Sequence, residues 1–151
     1  MEKFAVSSMQ YRNGVIFVFT TLVEQYGKEQ IEMISPLVLA FIGDTVYDLY
    51  IRTNLVSGSN AGVDKLHKQA TTYVKCSAQS CSFQKIEPYL TEHEIAIFKR
   101  GRNAKSQVPK NAEMKDYKNA TGLEALIGYI FLSGDEKRLD EVMNKIWSES
   151  E

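Results

Sequence analysis

Residues 37–52 read LVLAFIGDTVYDLYIR. Nearly every position is apolar, and the exceptions fall in register. Asp44, Asp48 and Arg52 recur every four residues, with Ala40 one turn earlier and Thr45 alongside. On a helix that spacing is one polar stripe on a hydrophobic cylinder, the reverse of an ordinary surface helix. The pattern predicts a central helix, buried on most sides, that carries an acid inward. A buried carboxylate is costly unless it is paired, hydrogen-bonded or bound to metal. Asp44 is therefore either a structural acid with a partner or a group that does chemistry. Asp48 and Arg52 read as an ordinary i,i+4 ion pair.

A second stretch, TGLEALIGYIFL at 121–132, repeats the pattern, with Glu124 as its only charge. Gly128 lies one turn further on the same face, and Ala120 and Thr121 lie one turn back. A glycine inside a helix costs about 1 kcal/mol against alanine, so Gly43 and Gly128 ask for a packing reason. Two helices crossing at these glycines would bring Asp44 and Glu124 together.

Outward from these stretches the punctuation is helical. Ser35-Pro36 is a capping residue followed by proline at the first helical position, and that helix should run to about Leu55. SGSNAG at 57–62 is a loop, and Asp64 can cap the next helix. Helical character continues through 76–86 and stops near Pro88. Thr91 to Glu94 reads as a capping box for a helix ending near Gly101. The polar loop 103–113 leads to a helix over about 116–132. Gly134-Asp135 breaks and caps, and a last helix covers about 136–147. Residues 1–13 read as polar and loosely ordered, and 14–31 as strand or helix alike. The expected architecture is all-α, with 1–35 an N-terminal extension of unclear role and 36–151 one compact helical domain.

The chain has 151 residues, 44% of them hydrophobic and 25% charged, with a net charge of −1. That is an ordinary globular balance which by itself gives no reason to suspect nucleic acid. The distribution differs. Segment 99–118 carries seven basic and two acidic residues. Such a patch is a phosphate-binding footprint or a solvated loop. Cys76 and Cys81, five apart on a helix, point apart and read as buried free thiols of a reducing compartment. The apolar run Val15–Phe19 is too short for a signal or membrane segment, so a cytoplasmic location is expected. His67 and His93 lack ligand spacing, and no nucleophile triad or glycine-rich phosphate loop can be assembled.

Three segments, LAFIGDTVYDLYIR, KRGRNAKS at 99–106 and TGLEALIGYIFL, resemble the nuclease domain of the ribonuclease III family in order and spacing. The similarity is greatest to its small Mini-III class, which lacks a double-stranded-RNA-binding domain. The resemblance implies a ribonuclease III-type helical fold and a magnesium-dependent endoribonuclease cutting structured double-stranded RNA. It implies Asp44 and Glu124 as catalytic residues and ligands of Mg2+. Arg100, Arg102, Asn103 and Lys105 become RNA contacts, and Leu37 and Phe41 part of a homodimer interface. The implied substrate is the precursor of 23S ribosomal RNA, cut with the aid of a large-subunit ribosomal protein and away from any membrane. The chain departs from the wider family at three acids: Leu37, Ala40 and Thr121 stand where carboxylates would. The Mini-III class shares that reduced set. The competing reading is a non-catalytic RNA-binding or ribosome-associated module on the same fold. A third is a helical interaction domain in which both acids merely pair with Arg100 and Arg102.

Overall fold

The computed structural model describes Val23 and residues 26–148. The readings of residues 1–13 and of the apolar run Val15–Phe19 lie outside the described residues. Among residues 26–148 seven α-helices follow in order: α1 Lys28–Met33, α2 Pro36–Ser57, α3 Val63–Val74, α4 Cys76–Ile86, α5 Glu92–Asn103, α6 Met114–Leu132 and α7 Glu136–Ser148. A single 3-10 turn, Glu87–Tyr89, closes α4. The all-α expectation holds for the described chain.

Local chemistry sets several helix ends. The Ser35 hydroxyl accepts from the Val38 amide at 3.3 Å, with Pro36 at the first position. Thr91 and Glu94 form the reciprocal capping box, at 3.2 and 2.9 Å. The Asp135 carboxylate accepts from the Arg138 amide at 3.0 Å. Three details differ from expectation. Gly62, not Asp64, occupies the N-cap of α3, and Asp64 lies in the first turn. Helix α5 continues past Gly101 to Asn103. Cys81 is an exposed thiol, not a buried one, and Cys76 is half-buried.

The larger difference concerns which helix is central. α6 is, because nearly every residue from Asn119 to Leu132 is buried and α2, α4, α5 and α7 all pack on it. α2 instead buries one face, Leu39, Ala40, Gly43, Tyr47, Ile51 and Leu55. Its other side leaves Val38 53% and Phe41 76% exposed. A helix this apolar has too few polar positions to mark its solvent side, so periodicity alone could not tell a half-open helix from an enclosed one.

The main core joins Tyr47 and Ile51 of α2, Phe83 and Ile86 of α4, Leu126 and Ile130 of α6, and Met143 and Ile146 of α7. A second cluster sets Ile31 of α1 against Leu39, Ile97, Ala125 and Leu132. α1 is tied down further by Glu32, which accepts from the Tyr129 hydroxyl at 2.6 Å and lies 3.2 Å from His93 Nε2. Arg138 of α7 grips Glu94 of α5 through two nitrogens at 2.8 and 2.9 Å. Bidentate pairing of this kind fixes geometry as well as charge.

A candidate catalytic centre at the helix crossing

α2 and α6 meet at their glycines. A Cβ placed on Gly43 would stand 2.6 Å from the Glu124 carbonyl carbon and 2.8 Å from the Gly128 nitrogen. One on Gly128 would stand 2.9 Å from the Leu39 carbonyl carbon and 3.1 Å from the Gly43 nitrogen. Backbone therefore lies on backbone, with no side chain between. Asp44 follows one of these glycines and Glu124 precedes the other by one turn, so the crossing carries both acids to one place.

Their environments differ. Glu124 is half-buried, whereas Asp44 is exposed, not turned into the core as the helix pattern predicts. Burial pushes the Glu124 carboxyl up from its ordinary 4.5 to about 7, and the Asp44 charge raises it further, against one hydrogen bond from Gln79. Asp44 is raised as well, by burial first and then by Asp48. Neither acid forms an ion pair with Arg100, Arg102 or any other described cation. Asp48, by contrast, holds Arg52 at 2.6 Å, the expected i,i+4 pair. Two carboxylates held close enough to repel, without a cation, form a donor set suited to a divalent ion with oxygen ligands. No third His, Cys, Asp or Glu joins them as a ready cage among the described residues. An ion here would take its remaining oxygens from water and substrate.

Around the pair stand residues that sequence reasoning missed. Gln79 Nε2 donates to Glu124 Oε1 at 3.0 Å. Cys76 is raised by burial, then by the Glu124 charge, and more weakly by Asp116 and Asp44. Gln79 sits in CSAQSCS, where a lone amide among small residues has no periodic or motif signal.

The basic residues lie at the end of α5. Arg100, Arg102 and Asn103 are thus helical, and only Lys105 is in the loop. Arg100 Nη2 donates to the Ile34 carbonyl at 3.4 Å. Arg102 Nε donates to Asn103 Oδ1 at 3.2 Å, and the guanidinium carbon Cζ lies over the Phe98 ring. Asn103 and Lys105 are exposed. Leu37, 39% exposed, and Phe41 share the open side of α2 with Val38.

The acids give a pH signature for the metal-free protein. Between about 4.5 and about 7 the folded state keeps the Glu124 proton while the unfolded chain releases it. Stability should therefore fall as pH rises through that window, by on the order of 2 kcal/mol, and level off above it. Asp44 adds in the same sense. Glu32 and Glu94 are shifted down, so their opposite slope lies below 4.5. Bound metal should flatten or reverse the trend, because ligation needs the carboxylate. Thermal melts from pH 5 to 8 in chelator and in Mg2+ check this, and Glu124→Gln should remove the slope.

The family model described as Ribonuclease III domain matches residues 37–135. A Mini-ribonuclease 3 of Clostridium tetani is 46% identical over 127 residues, covering 83% of this chain and 84% of that protein. One from a Thermoanaerobacter species is 48% identical over 126 residues, covering 83% and 89%. A crystal structure of a Fusobacterium nucleatum protein superposes with a TM-score of 0.72 at 31% identity, covering 80% of this chain and 98% of that one.

Proposed function

The chain belongs to the ribonuclease III family, in its Mini-ribonuclease 3 class of endoribonucleases, and from that premise we propose a magnesium-dependent cut of double-stranded RNA. The observation that carries the reading is the pair Asp44 and Glu124, assembled at the α2–α6 crossing with no ion pair to a cation among the described residues. Taking the Glu124 charge partly out of water is expensive, and the one hydrogen bond from Gln79 offsets only part of that cost.

Asp44 and Glu124 would hold the metal, where a phosphodiester of the substrate can reach it. The ion supplies, when bound, charge to polarise that phosphate and to acidify an attacking water. Attack in line expels the 3′-oxygen, so products carry 5′-phosphate and 3′-hydroxyl ends. Asp44, exposed at the surface, is open to a bulky polymeric substrate. Arg100, Arg102 and Asn103 grip phosphates and 2′-hydroxyls from the end of α5, and Lys105 from the loop that follows. The catalytic unit spans 36–151. Its proposed substrate is precursor 23S ribosomal RNA in the cytoplasm, presented by a large-subunit ribosomal protein. The named ribonuclease relatives weigh against the non-catalytic module, and the absence of ion pairs to Arg100 and Arg102 weighs against the interaction domain.

Incubation with long double-stranded RNA tests the reading. Shortened duplexes with 5′-phosphate ends should form in Mg2+ and not in chelator. An intact substrate in Mg2+ would refute it.

We also infer a homodimer in which each protomer cuts one strand. The exposed side of α2, with Leu37, Val38 and Phe41, is an apolar surface of the kind found at interface cores. Phe41→Glu should shift sedimentation at micromolar concentration from dimer to monomer and remove double-strand cutting. A wild-type chain that sediments as an active monomer rules the two-strand arrangement out.

A further inference from the structure

Gln79 is 1% exposed, at the start of α4. Its Nε2 donates to two acceptors, the Val74 carbonyl at 3.1 Å and Glu124 Oε1 at 3.0 Å. Turning the amide over would set its oxygen against both, so the orientation is determined. With the amide so held, Oε1 is buried and has no hydrogen-bond partner. A buried acceptor left unanswered is destabilising, and methionine or leucine would fill the same volume without that cost. Half of the amide's role is local. The chain breaks between α3 and α4 at Lys75, where ψ is 150°, and the terminal Val74 carbonyl takes a side-chain donor in place of a helical one. The other half reaches across the fold to a residue 45 positions away.

The geometry points to Gln79 as a positioning residue that clamps the Glu124 carboxylate between the α3–α4 joint and α6, and so sets how that acid is presented to a cation. The clamp works because α4 and α6 pack against each other. A carboxylate bonded at one oxygen from such a frame loses rotamer freedom before metal arrives. Partners of this kind around metal ligands typically change affinity or activity by about 10–100-fold. The inference rests on Glu124 being a metal ligand, and its test separates the two claims.

The probe is Mn2+ alone, titrated into the RNA-free protein and followed by electron paramagnetic resonance. Gln79→Met keeps the volume and removes the amide. It should weaken Mn2+ binding about tenfold. It should also lower kcat on double-stranded RNA comparably while leaving KM unchanged. A folded Gln79→Met protein with a lower melting temperature but unaltered Mn2+ affinity would overturn the inference, leaving Gln79 as a cap on Val74 only. Gln79→Asn, which withdraws the amide by one methylene, takes its place with the same outcomes if the methionine variant does not fold. Glu124→Gln is the control. If Glu124→Gln leaves Mn2+ affinity intact, the metal reading fails and the clamp with it. If Glu124→Gln weakens Mn2+ and Gln79→Met does not, only the clamp fails.

Discussion

Asp44→Asn is expected to abolish cleavage while the fold survives. Asp44 is an exposed acid on a helix whose other polar stripe members, Asp48 and Arg52, satisfy each other. Its own carboxylate has no cationic partner among the described residues, and its charge is felt by Glu124 across the crossing. Asparagine keeps the size and removes the charge that would bind a divalent ion. Activity should drop by more than about a hundredfold, since even an outer-shell partner of a metal ligand can cost that much. The melting temperature of the metal-free protein should hold or rise, because like charges in one site repel. Cleavage of double-stranded RNA in Mg2+, set beside a thermal melt, reads both effects. Near-normal activity with an unchanged melt would remove Asp44 from the centre.

Gly43→Ala is expected to have the largest effect on stability. In an exposed helix the same change would stabilise by up to about 1 kcal/mol. Here the new methyl would press into the backbone of Glu124 and Gly128, atoms that no rotamer change can move aside. α2 and α6 would have to separate along their whole contact, opening the second apolar cluster and shifting Glu124 from Asp44. Overpacking of this kind costs about 3 kcal/mol or more. For a chain of this size that is a fall of about 6–12 °C in melting temperature, with activity lost alongside. Gly58→Ala is the contrast. Its Cβ would meet only the Asn54 carbonyl oxygen, at an ordinary 3.5 Å, and the change should stay within about 0.5 kcal/mol. Denaturant melts of both variants decide the matter. A Gly43→Ala protein as stable as the parent would show that the two helices can part without loss.

What the sequence determined by itself was whatever depends on neighbours within a turn or two. Ser35-Pro36, Thr91 with Glu94, and Gly134-Asp135 mark helix ends because capping is a bond between residues three apart. Asp48 and Arg52 pair because a helix puts i and i+4 together. Gly43 and Gly128 foretell a close crossing because a mid-helix glycine has a cost that only near approach of backbone offsets. What the tertiary structure alone decided depends on residues far apart in the chain. The outward turn of Asp44 and Phe41, and the place of α6 rather than α2 at the centre, follow from which faces other helices cover. The extra length of α5 put Arg102 and Asn103 on a helix because their backbone continues the turn begun at Glu92. Gln79 meets Glu124, and His93 meets Glu32, through the folded frame, 45 and 61 residues away along the chain. No periodicity encodes such meetings, because periodicity reports one helix's own geometry, whereas burial and convergence belong to the way helices pack.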